Sequence, residues 1–200
     1  MEQIRSFIAI ELPDGLKLAL GQLELELKSG KQPPVKWVDT ESIHLTLKFL
    51  GNISTDKVSE ITKALGEAAR GIPPFHLEVG GLGVFPNLKR VQVVWVGISG
   101  EIEKLGRLQQ CIESNLAHLG FAPESRPFTP HLTLARLRNQ ASLDDRQRFG
   151  QLIASARFEA AHTIKVDAIC LMRSQLTREG AIYSRISSVR LKKPLPTTNT

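Results

Sequence analysis

The tetrapeptide His-Leu-Thr-Leu occurs twice in the sequence, first at residues 44–47 and again at residues 131–134. The chain has only five histidines in 200 residues, so chance placement would give fewer than one His-x-Thr triplet. Imidazole exchanges protons readily near neutral pH, and a threonine hydroxyl can donate a hydrogen bond. The duplication therefore indicates two histidines that work together as an acid and a base.

Alternation along a β-strand explains the spacing within each motif. Because successive side chains point to opposite faces, His44 shares a face with Thr46, and His131 shares a face with Thr133. The leucines of each motif would then be buried behind that face. We expect two rigid strands that each present an imidazole and a hydroxyl, and that line one cleft if they face each other.

Opening a cyclic phosphodiester is a reaction that needs this arrangement. One imidazole activates water as a base, and the other protonates the departing sugar oxygen as an acid. Thr46 and Thr133 can donate hydrogen bonds to the non-bridging phosphate oxygens. Such a clamp needs no metal ion. A zinc site is the less favoured alternative, because no two histidines are spaced as His-x-x-x-His.

Three cations near the motifs are further candidates. Arg126 precedes His131 by five residues in the proline-bounded segment 126–130, where it could contact the phosphate or the rest of the substrate's backbone. By alternation, Lys48 shares the face of His44 and lies either at the rim of the site or in solvent. Arg136 is expected to point away from His131 and to form a structural ion pair.

Four aromatic side chains are assigned either to base stacking or to packing in the core. Phe128 and Tyr183 could stack on a base, although core packing is the simpler prediction for Phe128. Trp37 and Trp95 are predicted to lie in the core or between lobes.

Composition indicates a globular chain that favours acidic partners. The net charge is +6, which favours nucleic acid but is also compatible with a solvated surface that has no partner. Two cysteines are too few for a disulfide framework. No apolar run approaches the length of a membrane span, and residues 1–6 lack the features of a secretory signal. We expect a cytoplasmic protein without membrane contact.

The apolar periodicity predicts alternating helices and strands. The predicted strands span 4–10, 35–38, 43–50, 77–85, 91–98, 131–137, 164–172 and 182–189, and the helices span 14–27, 54–70, 101–119 and 144–153. No flexible linker divides the chain. We predict an α+β fold in which two lobes of mostly antiparallel sheet carry helices on their outer faces. Residues 1–193 would form one bilobal domain, followed by a flexible tail over 194–200.

The sequence resembles the two-histidine (2H) phosphoesterase superfamily, whose signature is two His-x-Thr/Ser-x motifs. Within it, the chain is similar to the RNA 2′,3′-cyclic phosphodiesterases, historically called 2′-5′ RNA ligases. The matching stretches are RSFIAI (5–10), IHLTLKFLG (43–51), RVQVVWVG (90–97) and RPFTPHLTLAR (126–136). The resemblance implies two pseudo-symmetric lobes with the active site in the groove between them.

The resemblance also implies a reaction and roles in it. RNA 2′,3′-cyclic phosphate ends would be hydrolysed to 2′-phosphomonoesters, and the reverse reaction would join 2′-5′ linked ends. His44 would be the proton donor and His131 the proton acceptor, although near-symmetry leaves these two labels exchangeable. Thr46 and Thr133 would hold the phosphate. The partner would be RNA or an oligonucleotide, with no cofactor, and the enzyme would be a monomer that acts in RNA processing.

Two other functions stay open at this point. The same residues could act on a nucleotide-sized cyclic phosphate or on a 2′-5′-linked oligonucleotide. Alternatively, the chain could be a non-catalytic RNA-binding module. The paired histidines favour catalysis, because lysine or arginine would serve pure binding as well.

Overall fold

The fold is described by a computed structural model that covers residues 2–29, 32–159, 162–177 and 180–192. Within these ranges the helices are α1 (Asp14–Leu27), α2 (Val58–Ala69), α3 (Ile102–Ala117) and α4 (Leu143–Ser155). The strands are β1 (Gln3–Glu11), β2 (Val35–Trp37), β3 (His44–Ser54), β4 (Phe75–Phe85), β5 (Val93–Gly100), β6 (His131–Leu137), β7 (His162–Val166), β8 (Ala168–Leu176) and β9 (Ala181–Arg190). The predicted tail over 194–200 lies outside the described residues.

The strands form two sheets, each containing one of the repeated motifs. The first sheet has the order β3-β1-β8-β9, and the second has the order β2-β6-β5-β4-β7. The strand pairs described within both sheets are antiparallel. The motif strand β3 lies beside β1, and the motif strand β6 lies beside β5 in the same way. The predicted α+β class with two mostly antiparallel sheets is confirmed.

The helices bury one apolar face each against the sheets. The spacing of Leu16, Leu20, Leu23 and Leu27 predicts the helix that the structure has as α1, and all four leucines are buried. Helix α2 packs against β9 and α3 against β3, whereas α4 packs against β4 of the second sheet. Buried side chains from both sheets contribute to one continuous hydrophobic cluster. Packing on this shared core holds the two sheets together.

One predicted strand is wrong, because the segment 164–172 contains two strands. Strand β7 pairs with β4 in the second sheet, and β8 pairs with β1 in the first, with Asp167 between them. The chain therefore crosses from one sheet to the other at this point. Both halves are apolar because both are buried, so periodicity alone does not reveal the break.

The first motif strand is longer than the sequence suggests. The strand predicted to stop at Gly51 continues to Ser54, and Ile53 is buried opposite Ile4. Gly51 has a φ of 73°, in the left-handed region that glycine tolerates, and it lies where the pairing with β1 shifts register. The glycine thus accommodates a bulge within the strand. The following helix starts at Val58, after a single 3₁₀ turn.

Candidate active site

The two motif strands approach one another although their sequences are far apart. Cα atoms of β3 lie within 8 Å of Cα atoms of β6. In each strand the pattern of the first four residues is the same, with a half-buried histidine and threonine and two buried leucines. His44 and Thr46 therefore lie on one face of β3, and His131 and Thr133 lie on one face of β6, as alternation predicts.

Both imidazole rings are held by the same local hydrogen bond. Nδ1 of His44 lies 2.7 Å from the carbonyl oxygen of Ser42, and Nδ1 of His131 lies 2.7 Å from that of Thr129. A carbonyl oxygen can only accept, so each Nδ1 carries a hydrogen and donates it. In the neutral ring, Nε2 then has the free lone pair. Each histidine is thereby prepared to accept or donate a proton through Nε2.

A β-bulge follows the threonine in both motifs. On β3, Thr46 pairs with Ala9 but Lys48 pairs with the adjacent Ile8, so the motif strand has one extra residue. On β6, Thr133 pairs with Trp95 and Ala135 with the adjacent residue of β5. Two consecutive side chains are consequently buried in each strand, at 47–48 and at 134–135. The bulge changes the face of every residue after it.

Because of the bulge, two predictions made from simple alternation are wrong. Lys48 lies on the core side with 6% exposure instead of sharing the face of His44. Arg136 is exposed on the face of His131 instead of pointing away from it, and it forms no ion pair with any residue that the structure describes. Phe49 occupies the corresponding position in β3, where 67% of its surface is exposed.

Lys48 ties the first motif strand to a helix. Its Nζ lies 2.5 Å from Oε2 of Glu113 on α3 and donates to the carbonyl oxygen of Ala122 at 2.8 Å. Gln109 donates to the other oxygen of Glu113 at 3.0 Å. The lysine is therefore a structural residue behind the site, and its charge is matched by a carboxylate.

His44 is packed among aromatic rings. Phe7 stacks on it with ring centroids 4.5 Å apart, and Tyr183 contacts it edge-on at 4.9 Å. Phe7 and Tyr183 also belong to a small apolar cluster with Ala9, Cys170 and Met172, separate from the main core. Burial lowers the pKa of His44, and its hydrogen bond to the Ser42 carbonyl acts in the opposite direction. The free site thus favours the neutral form of this histidine.

A cavity of about 110 Å³ lies next to His44 and has charged walls. Glu11 accepts from Cys170 Sγ at 3.3 Å and pairs with Arg185 at 3.3 Å. Glu41 stands three residues before His44, a spacing found in some metal sites, but its carboxylate pairs with Lys17 at 3.1 Å. Sequence reasoning did not identify Glu11 or Arg185, because only the strand pairing brings them to the motif.

The aromatic side chains around His131 differ from those around His44. Phe85 contacts it edge-on at 5.1 Å, and Trp95 lies 6.3 Å away. A Cβ on Gly83 would lie 2.2 Å from the Trp95 ring, so only glycine leaves room for the indole beside β4. The Trp95 Nε1 is buried without a hydrogen-bond partner among the described residues. The tryptophan predicted to lie in the core or between lobes therefore forms part of the wall around His131.

The remaining residues predicted from the sequence lie farther from the two motif histidines. Arg126 lies in the loop before β6, where its side chain is 90% exposed and its Nε is 3.9 Å from Glu124. It contacts neither histidine in the described part of the chain, and its role stays a prediction. Phe128 packs against the main core, as expected, and Trp37 packs against Phe149. Of the two proposed stacking residues, only Tyr183 touches a motif histidine.

The described residues contain no group of three or more His, Cys, Asp or Glu side chains that could hold a metal ion. In the same ranges, no helix is both long and apolar enough to cross a membrane.

The fold and the paired motifs define an α+β protein of the two-histidine phosphoesterase class. Residues 14–178 match the sequence profile of the 2′-5′ RNA ligase superfamily, and the chain belongs to that superfamily. It is 33% identical to the "RNA 2′,3′-cyclic phosphodiesterase" of Methanothermobacter thermautotrophicus, over 94% of this chain and 100% of the relative. It is 36% identical to the protein of the same name from Aeropyrum pernix, over 78% of this chain and 86% of the relative.

Solved structures agree with this assignment. TT0787 of Thermus thermophilus matches with a TM-score of 0.75 and 26% identity, covering 95% of this chain and 99% of that chain. The apo form of E. coli LigT matches with a TM-score of 0.77 over 96% of this chain and 100% of its own, and its 24% identity supports the fold alone. The predicted family and fold are both confirmed.

Proposed function

We propose that this protein hydrolyses RNA 2′,3′-cyclic phosphate ends to 2′-phosphomonoesters by metal-independent acid–base catalysis. The observation that carries the proposal is the pair of equivalent His-x-Thr strands. In both, Nδ1–H donates a hydrogen bond to a carbonyl oxygen, which leaves Nε2 for proton transfer. The two relatives that are 33% and 36% identical bear the name of this activity.

In the proposed reaction, a water oxygen attacks phosphorus and the bond from phosphorus to the 3′ oxygen breaks. Nε2 of His131 takes the proton of the water, and Nε2–H of His44 gives a proton to the departing 3′ oxygen. Thr46 and Thr133 donate hydrogen bonds to the non-bridging oxygens, where negative charge is held in the transition state. Arg126 contributes positive charge from its loop.

The role of His44 as the donor must be reconciled with its burial. A donor has to be protonated, but burial lowers the pKa of His44 in the free site. A phosphate bound beside the ring is negatively charged, and a nearby opposite charge raises the pKa of an imidazole. Substrate binding therefore favours the protonated form that the donor role requires.

The test is incubation with an oligonucleotide that ends in a 2′,3′-cyclic phosphate, in the presence of EDTA. We expect a 2′-phosphomonoester as the product, identified by its resistance to a 3′-specific phosphatase. A 3′-phosphate product would contradict the proposed positions of donor and acceptor. No turnover, or turnover only after a divalent ion is added back, would contradict the mechanism.

We also propose that residues 1–193 act as one domain, in a cytoplasmic monomer. The continuous hydrophobic core supports a single unit, because it includes buried side chains of both sheets. The mass in solution, measured by light scattering, tests the monomer: about 22.1 kDa is expected.

A further inference from the structure

The loop that leads into the second motif strand is hydrogen-bonded to the first motif strand. Lys48 on β3 donates to the carbonyl oxygen of Ala122 at 2.8 Å, in addition to its ion pair with Glu113 of α3. Ala122 lies near the start of the loop between α3 and β6. The first motif strand therefore contacts the segment that runs into the second motif.

The bond from Lys48 restrains the exposed middle of this loop. Residues 122–127 are exposed, and Phe121 and Phe128 pack against the main core on either side of them. Within the part of the chain that the structure describes, residues 122–127 receive no other hydrogen bond from another element. Arg126 lies among these residues, and its ion pair with Glu124 is internal to the loop. Lys48 thus supplies the restraint from outside.

Two prolines carry this restraint along the loop. Pro123 follows Ala122 directly, and Pro127 follows Arg126 directly. A proline fixes its own φ and restricts the residue before it to extended conformations. Fixing the carbonyl of Ala122 consequently limits the positions that Arg126 can adopt.

The surroundings of Lys48 make it a rigid donor. Its side chain is 4% exposed, and the Glu113 carboxylate that it contacts is itself held by Gln109 at 3.0 Å. An ammonium group has three N–H donors, so the bond to Ala122 does not compete with the ion pair. The carboxylate matches the charge of the lysine, and the bond to the loop is a separate interaction.

We propose that Lys48 is a positioning residue, which holds residues 122–127 so that Arg126 stays beside the phosphate on which the two histidines act. This inference rests on the proposed function, in which Arg126 contributes positive charge. Without the bond from Lys48, the loop would have to be ordered when the substrate binds, and that ordering costs free energy. Lys48 therefore links the two motif strands without touching the substrate.

The experiment separates the loop bond from the ion pair. The double variant K48M/E113L removes both and leaves the net charge unchanged, whereas Glu113→Gln removes the carboxylate but keeps the ammonium group for Ala122. We expect kcat/KM for an oligonucleotide with a 2′,3′-cyclic phosphate to fall about tenfold in K48M/E113L, with little change in unfolding temperature. Glu113→Gln should do the reverse, with a lower unfolding temperature and a nearly normal kcat/KM. Lys63→Met, at an exposed lysine on α2, is the control for loss of a lysine.

A double-mutant cycle with Arg126→Gln tests whether Lys48 acts through the arginine. Arg126→Gln alone should lower kcat/KM by a similar factor. Adding it to K48M/E113L should lower kcat/KM little further, because residues that act as a unit are not additive. Additive losses, no loss in either variant, or an equal loss in Glu113→Gln would each contradict the inference.

Loop motion can be measured without turnover. In the wild type, the heteronuclear NOE of the Arg126 amide should match that of the His131 amide in β6, and it should fall in K48M/E113L as picosecond-to-nanosecond motion increases. A low value in the wild type, or no change in the variant, would contradict the inference. If the wild type hydrolyses no cyclic phosphate but the NOE falls in the variant, the proposed function fails and the restraint by Lys48 stands.

Discussion

The two motif strands share a tetrapeptide, a bulge and a carbonyl partner for Nδ1, yet their surroundings differ. On the first sheet, His44 is enclosed by Phe7 and Tyr183, and burial lowers its pKa. On the second sheet, His131 contacts Phe85 at the edge of its ring and lies in a more open position. The comparison indicates that local sequence sets the direction of each imidazole, whereas the strands packed around it set how deeply it is buried.

The residues beyond the motifs differ just as clearly. After the bulge, the first strand presents Phe49 and the second presents Arg136 with Lys36 beside it. One side of the site is therefore aromatic and the other is cationic. A single-stranded nucleic acid has bases that stack and phosphates that carry charge, so the two sides suit different parts of the same ligand.

The largest expected effect comes from removing either imidazole. We expect His44→Ala and His131→Ala each to lower turnover of a cyclic-phosphate oligonucleotide by about 10²–10⁴-fold, the usual contribution of an acid–base group. The double variant should be little worse than the poorer single variant, because the two residues act as a unit. Single-turnover rates measure this. A near-normal rate in either single variant would refute the pairing, and unchanged thermal unfolding serves as the control for folding.

The sequence predicted the parts of this comparison that depend on local pattern. Two identical motifs in strand-like segments were enough to place His44 with Thr46 and His131 with Thr133. The leucines of α1 were sufficient to define that helix, since helical spacing is a local property. The family and the α+β class followed from the same residues and are confirmed.

The predictions that were wrong concern features set by contacts between distant strands. Alternation placed Lys48 and Arg136 on the wrong faces, because a bulge is defined by the register with a neighbouring strand and leaves no clear signal in one sequence. The crossing at Asp167 was missed for a similar reason, since both β7 and β8 are buried and apolar. Glu11 and Arg185 line the cavity beside His44 only because of sheet pairing.

The inward-facing position of the bulge also differs, with Lys48 in the first sheet and Ala135 in the second. Lys48→Ala would give both strands the same residue but leave Glu113 without its cation. We expect the free energy of unfolding to fall by about 3 kcal/mol, the lower range for breaking a buried ion pair. Urea unfolding monitored by circular dichroism measures it. In the double variant K48M/E113L, most of the lost free energy of unfolding should be recovered. The control Lys63→Ala should change the free energy of unfolding little. An equally large loss in the double variant would contradict the ion-pair explanation.

The smallest expected effect concerns the difference in burial between the two histidines. Burial disfavours the charged imidazolium and thereby lowers the pKa of His44, so removing the Tyr183 ring in Tyr183→Ala should let water in and raise that pKa. If His44 is the donor, it must be protonated, and its pKa sets the alkaline limb of the kcat/KM profile. That limb should then move to higher pH. Phe85→Ala, which removes a ring beside His131 instead, is the matched control and should leave the limb in place. Movement of the acidic limb in Tyr183→Ala would make His44 the base. A profile in which neither limb moves would mean that the aromatic side chains around His44 do not control its pKa.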